Sequence, residues 1–381
     1  MARLLATGAY LKNTAGLWLD GCWTASPTHG DLGTPQACRA LEASLHQLVA
    51  RAGHRLDGIA HDLHPDFHST RLAEALADRL GVPAIGVQHH LAHVGVVLAE
   101  QALAGTPVDG PVIAIVLDGY GRGDDGGAWG GELLRVDRGQ ARRVSHLAEL
   151  PLPGADRAAR EPWRMASAVL HRLGRGDEIV SRHAGHVGLE RAQGLKQMLE
   201  RGLNCPPTSS AGRWFDAAAA ALGLCWQQHD EAEAAQALEA LAAQHDPASS
   251  GQPALSTARL VDEHIDLAPV LADLFDARAE PARLAHHFHL ALADGLARAA
   301  TSAAHAAGTD TIVLAGGCFF NRLLSTALRA MLERRRLRVL RPVAHSCGDA
   351  ALALGQAWIA GQRLSHANPS PISLLEPTPC A

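Results

Sequence analysis

The stretch PVIAIVLDGYGRGDDGGAWGGELLRV, residues 111–136, decides the fold. Val112 to Leu117 is an unbroken apolar run of strand length, Asp118 to Gly127 reads as a glycine-rich turn, and Trp129 to Val136 runs back. The same opening stands at residues 3–25. There Leu4-Leu5-Ala6 is followed by a turn region with Gly8 and Lys12-Asn13-Thr14, and Leu17-Trp18-Leu19 returns. A strand-turn-strand start therefore occurs twice, a duplication of pattern without identity of sequence. Behind the first start come a helix over 34–52, a strand at Gly58-Ile59-Ala60, a helix over 69–80 and a strand at Ala84 to Val87, a mixed α/β order. Gly105-Thr106-Pro107-Val108-Asp109-Gly110 breaks the chain before the second start.

Downstream of about residue 157 the chain is alanine-rich, with helices expected at 161–173, 213–225, 230–245 and 283–307. The strand Thr311 to Leu314, a Gly316-Gly317 turn, the helix Arg322 to Leu332 and a last helix over 349–361 follow. Pro369, Pro371 and Pro377 mark a tail expected to be poorly ordered. Two hairpin starts and a late strand-Gly-Gly-helix imply an α/β protein with the two-lobed actin-like ATPase and sugar-kinase (ASKHA) fold, its ligand cleft between the lobes. The expected division is an N-terminal lobe at 1–108, a C-terminal lobe at 109–345 with a mainly helical insertion at 157–307, and a closing helix and tail at 346–381. A single doubly wound domain is the alternative.

The 381 residues suffice for two ordinary cores. A net charge of −5 and a pI near 6.5 provide no positive field for nucleic acid. Arg334, Arg335, Arg336 and Arg338 read as a solvated face. Seven scattered cysteines without a C-x-x-C pair argue against a zinc ribbon or a disulfide framework and suit a reducing compartment. Neither a signal peptide nor an 18-residue apolar stretch is present, so no membrane association and a cytoplasmic location are expected.

Chemistry concentrates at a few points. His89 and His93 follow a strand and open a helix; at i and i+4 they share a face and can present two imidazole nitrogens to one ion. Position 90 is His where a zincin has Glu, so a metalloprotease would lack its base. Packing histidines, in a chain with 22, are the competing reading. Two imidazoles need further ligands, and Asp118 and Asp349 are the candidates. Asp118 ends a buried run, where a carboxylate costs desolvation, but also suits a turn before Gly119. Asp349 precedes a helix, where taken alone it reads first as a cap, and only the combination with the histidines favours a ligand. The turn carrying Gly119 and Gly121 can offer backbone N–H groups to an anion or be a plain solvated hairpin. Gly316 and Gly317 allow a base or ribose to approach the backbone, with Asn321 beside it, unless this is simply a tight turn. Thr208 to Asp216 fits ribose contact or capping. No P-loop, Ser-His-Asp set or G-x-S-x-G is present.

Taken together these segments resemble the carbamoyltransferase domain of the HypF family of [NiFe]-hydrogenase maturation factors. The likeness runs through Leu11 to Thr14, Asp62 to Asp66, Val87 to His93, Asp118 to Gly131, Leu150 to Met165, Leu203 to Asp216, Gly316 to Asn321 and Asp349 to Gln356. The domain is also similar to threonylcarbamoyl-transferring enzymes of tRNA modification and to antibiotic O-carbamoyltransferases. The resemblance implies one divalent metal, iron or zinc, held by residues matching His89, His93, Asp118 and Asp349. It implies a carbamoyl-adenylate donor, held by Lys12, Gly119, Gly121, Gly212, Asp216, Gly316, Gly317 and Asn321. The implied acceptor is the C-terminal cysteine thiolate of HypE, for cyanide-ligand synthesis. The acylphosphatase, zinc-finger and YrdC-like modules of a full-length HypF are not found here, so a truncated form served by a separate YrdC-like adenylate-forming protein is expected. Leu91, Tyr120, Arg122, Cys318 and Phe320 depart from the usual motifs and spare the four ligands. A hydrolase of carbamoyl phosphate or carbamoyl-adenylate, and a non-catalytic docking subunit, are the alternatives.

Overall fold

The computed structural model describes residues 2–246 and 254–367; the tail with Pro369, Pro371 and Pro377 lies outside the described residues. Strands β1 (Leu4–Ala6), β2 (Gly16–Leu19), β3 (Cys22–Ala25), β4 (Gly58–Asp62) and β5 (Ala84–Val87) form one sheet in the order β3-β2-β1-β4-β5. A second sheet contains β6 (Val112–Arg122), β7 (Ala128–Asp137), β8 (Gln140–Leu147), the short β9 (Leu150–Pro151) and β10 (Pro207–Thr208), β11 (Arg259–Val261), β12 (His264–Asp266), β13 (Thr311–Ala315) and β14 (Arg338–Leu340). Its centre runs β8-β7-β6-β13-β14. The directions also repeat: β1 pairs antiparallel with β2 and parallel with β4, as β6 does with β7 and β13. The twofold strand-turn-strand start is thus a duplication of topology, and the chain has the two-lobed actin-like ATPase and sugar-kinase fold.

The apolar runs are unbroken because both faces of each sheet are covered. Leu5 and Ile59 face a cluster with Leu41, Leu45 and Ala73 from the helices Pro35–Arg51 and His68–Leu80. Leu4, Ala6 and Ala60 turn the other way, into a cluster shared with Val112, Ala114 and Val116 of β6. Ile113, Ile115 and Leu117 face the helical mass beyond. Between the sheets lie two helices, α1 (His89–Leu103) and α2 (Leu352–Ala367), each following the last strand of its lobe. They touch backbone to backbone: a Cβ on Gly355 would stand 1.8 Å from the Ala92 carbonyl oxygen, and one on Gly95 2.6 Å from that of Gly355. Only glycine fits at this crossing.

Two expectations are corrected, one in the first sheet and one in the turn after Leu117. The returning run at 17–25 is split by an Asp20-Gly21 turn, both residues at positive φ, into β2 and β3, a two-residue hairpin. The mainly helical insertion also carries strand β12, which pairs parallel with β8 through Ile265 and Leu147. Its hairpin of two three-residue strands is too short for a period-2 pattern to stand out. The turn after Leu117 is shorter than expected: β6 continues to Arg122, and the chain reverses over Gly123 to Gly127.

Candidate metal centre and cleft

The strand continues because Asp118 lies in a bulge. The register jumps from Leu117 opposite Gly131 to Gly121 opposite Trp129, leaving residues 118–120 against a single partner position. Ser210 seals it, its hydroxyl 3.1 Å from the carbonyl oxygen of Asp118 and 2.7 Å from that of Gly119. The bulge, rather than a turn, sends the Asp118 carboxylate toward α1. Gln88 sets the start of that helix: its side-chain oxygen accepts from the Leu91 N–H at 2.8 Å and its amide donates to the Arg122 carbonyl at 3.1 Å. Asp349 opens a one-turn 3-10 helix directly before α2, and Gly348, without a side chain, occupies the cap position. The Asp349 carboxylate is therefore free to face the histidines.

Four side chains meet. His89 Nε2 lies 3.3 Å from Asp118 Oδ2 and 3.7 Å from Asp349 Oδ1; His93 Nε2 lies 3.4 and 3.5 Å from the same atoms. All four ligand atoms fall within 4.8 Å of one another. Metal–nitrogen and metal–oxygen bonds of about 2.1 Å in a tetrahedron place neighbouring ligands roughly 3.4 Å apart, which these spacings match. Both Nε2 atoms are buried without a hydrogen-bond partner, a costly state that an ion relieves. The donors therefore fit a divalent ion, and two imidazoles with two carboxylates suit zinc or iron(II). Neither Cys318 nor Cys347 belongs to this converging set; without an ion, burial raises the Cys318 thiol far above its ordinary value and Cys347 to about 11.

His89 has a further partner that sequence reading left unassigned. Its Nδ1–H donates to Asp62 Oδ2 at 2.8 Å, which turns the Nε2 lone pair toward the cluster. Asp62 ends the buried strand β4 and is 1% exposed, so the argument applied to Asp118, a carboxylate closing an apolar strand, would have found it. Burial by itself lowers the histidine pKa values, but the close carboxylates of Asp118 and Asp349, and for His89 the hydrogen bond to Asp62, outweigh it. His89 is raised well above its ordinary value, and His93 is raised too. Burial opposes the shift of Asp118 as well, yet the two imidazoles hold it well below the usual carboxylate range.

The cluster opens onto a cavity of about 430 Å³, whose wall includes Lys12, Asp118, Gly119, Gly212, Asp216, Gly317, Asn321 and Asp349. Gly316 stands behind it at φ +102, where a Cβ would lie 2.3 Å from the Leu117 carbonyl oxygen. Gly121 is not part of the wall. It faces the imidazoles instead, and a Cβ there would lie 2.6 Å from His90 and 2.8 Å from His89. Asn321 caps the helix Arg322–Arg334, accepting from Leu324 N–H at 2.9 Å, and donates to His289 Nε2 at 3.0 Å, so its amide is already engaged. Asp216 faces Arg213 at 2.7 Å, and burial raises its pKa to about 6. Lys12 reaches across the cleft to Glu231 at 2.6 Å. Glu239, also in the wall, accepts from the N–H groups of Arg322 and Leu323 at 2.7 and 3.1 Å and neutralises that helix end. Glu231 lies in the turn before the alanine-rich helix Glu233–Ala242 and Glu239 within that helix, neither with a local mark of a site.

Residues 1–100 match the HypF Kae1-like domain, and residues 114–356 match the second subdomain of the carbamoyltransferase Kae1-like domain. A carbamoyltransferase HypF homolog of Cupriavidus necator is 50% identical over all of this chain and 97% of its own length. The chain belongs to the HypF carbamoyltransferase family. Carbamoyltransferase HypF2 of the same organism is 43% identical over 94% of this chain, which spans 46% of that relative. The crystal structure of full-length HypF in its phosphate- and nucleotide-bound form superposes with a TM-score of 0.82 at 28% identity, over 96% of this chain and 46% of the other. T. kodakarensis HypF superposes at 0.84 with 29% identity, covering 96% and 48%. The chain thus spans about half the length of the full HypF proteins that it matches. No helix among the described residues is long and apolar enough to cross a membrane.

Proposed function

We propose that this chain is a metal-dependent carbamoyltransferase of [NiFe]-hydrogenase maturation. It takes the carbamoyl group from carbamoyl-adenylate, made by a YrdC-like adenylate-forming partner, and passes it to the C-terminal cysteine thiolate of HypE. The observation that carries this reading is that Asp118 and Asp349 belong both to the four-ligand cluster and to the wall of the cavity. A ligand in that cavity therefore has its reacting end at the cluster. The nucleotide-bound state named for the full-length HypF relative supports a nucleotide in the corresponding place.

Charge orients the donor. The end near Gly119 and Gly212 leaves room against the backbone for phosphate, with Lys12 beside it on its Glu231 partner and free to exchange that carboxylate for phosphate, whereas the helix end near Asn321 is held by two backbone bonds to Glu239. The base then lies toward Gln236, Glu239 and the exposed Phe320. A divalent ion, when bound, supplies a Lewis acid for charge developing on the carbonyl and leaving-phosphate oxygens. The cysteine sulfur forms a bond to the carbamoyl carbon, the carbon–oxygen bond to phosphate breaks, and AMP leaves with that electron pair. Asp62 keeps His89 in one tautomer throughout.

The test is transfer of labelled carbamoyl from carbamoyl-adenylate to HypE. Transfer should exceed hydrolysis and should fall by about 100-fold or more in His89→Ala and Asp349→Ala, a loss of several kcal/mol. Transfer no faster than hydrolysis would make the chain a hydrolase. Variants that lose metal yet keep full maturation activity would make it a docking subunit.

A further inference from the structure

The two histidines come from α1, but Asp349 arrives on a segment without regular structure that runs from the end of β14 at Leu340 to the 3-10 turn. One side chain of α1 holds that segment. Glu100 lies seven residues after His93, on the same face of the helix, and is 8% exposed. Its carboxylate accepts from three consecutive backbone N–H groups, those of Val343 at 2.8 Å, Ala344 at 3.1 Å and His345 at 2.6 Å, and from the His345 ring at 2.9 Å. Three successive N–H groups converging on one carboxylate form an anion nest, here filled by the protein itself. Beyond Asp349, the Thr14 hydroxyl donates to the Ala350 carbonyl at 2.7 Å. Asp349 is thus held from both sides, with only residues 346–348 between it and the clamp.

We propose that Glu100 is a positioning residue for the metal centre: by clamping residues 343–345 onto α1 it sets the distance between Asp349 and the His89–His93 pair. The helix that carries two ligands thereby also places the fourth. A carboxylate suits this task because its two oxygens accept all four donors and its charge strengthens each bond. An amide keeps one acceptor oxygen, and alanine keeps none.

This inference rests on the four-ligand reading of the site, and the experiment separates the two. Zinc affinity of the purified full chain is measured by competition with a chromophoric chelator, alongside the thermal midpoint of the metal-free protein. Glu100→Ala should weaken zinc roughly 10- to 100-fold, in the range of lost outer partners at metal sites, and Glu100→Gln should fall between it and the parent. Ile179→Ala, a core truncation in the helix Glu178–Val187, should lower the midpoint and leave zinc affinity unchanged. Zinc affinity within twofold of the parent in folded Glu100→Ala overturns the inference. If that variant does not fold, the same result in Glu100→Gln does so, as does an equal loss of affinity in Ile179→Ala. A parent chain that binds no zinc removes the site itself and this role with it.

Discussion

Asp62 does for His89 what the four-residue spacing to His93 does not: it chooses which ring nitrogen faces the cluster. Asp62→Asn removes the charge behind the imidazole while keeping its size, so zinc affinity is expected to drop roughly 10- to 100-fold in a chelator competition with the fold retained. The protons of the cluster yield a second expectation. A raised histidine pKa stabilises the folded chain below the unfolded value of 6.5, and that contribution is lost as pH rises through the folded value. The lowered Asp118 contributes above its unfolded value of 3.8 and loses this as pH falls through its folded value. In the metal-free chain the imidazoles therefore carry protons beyond pH 6.5, and an ion must displace them. Apparent zinc affinity should rise about tenfold per pH unit for each proton displaced, until pH passes the raised histidine values. Titration calorimetry in buffers of different ionisation enthalpy reads the proton release directly, and a pH-independent affinity would contradict it.

Two helices carry the expectations that belong to elements. α1 and α2 meet at Gly95 and Gly355 with no room for a side chain, and both lead from residues of the His–Asp cluster near their starts. Gly355→Ala must push the helices apart, because its Cβ would collide with the Ala92 backbone. Overpacking costs about 1–3 kcal/mol where side chains can yield, and backbone yields less. A lower melting temperature and weaker zinc binding should appear together in this variant, and unchanged zinc affinity would show that the crossing does not transmit to the ligands. In the helix Glu178–Val187, His183 is buried beside Trp163 with neither ring nitrogen bonded. Burial lowers its pKa to about 4. The unfolded chain takes that proton below 6.5 and the folded chain only near 4, so stability is full above pH 6.5 and declines as pH falls between these values. The decline amounts to about 3 kcal/mol. Denaturant melts at pH 7 and pH 4.5 should show a smaller acid loss in His183→Leu than in the parent.

At the scale of the whole molecule the candidate metal centre is a joint. Its histidines follow the N-terminal sheet, Asp118 comes from the C-terminal sheet, and Asp349 opens the 3-10 turn that leads into the helix between them. An ion bound there ties the lobes, so zinc at about 100 times its dissociation constant should stabilise the chain by about 2.7 kcal/mol, a rise of several degrees by calorimetry that excess chelator reverses. Much of this plan was legible along the chain. An apolar run ending in a glycine-rich turn is a local signal, and its recurrence at 3–25 and 111–136 announced the duplicated lobes before any contact was known. The i, i+4 spacing likewise put two imidazoles on one helix face. Other features join residues far apart: Asp62 reaches His89 across 27 positions, Ser210 reaches Asp118 across 92, and Glu100 reaches His345 across 245. Periodicity records that a residue is buried but not what it meets. Sequence alone therefore determined the two lobes and the histidine pair. Tertiary structure alone decided that Asp118 sits in a bulge, that Asp349 is no cap, and that Gly121 serves the imidazoles. Those outcomes depend on which distant groups fill the space and satisfy the buried polar atoms, and no local pattern encodes that.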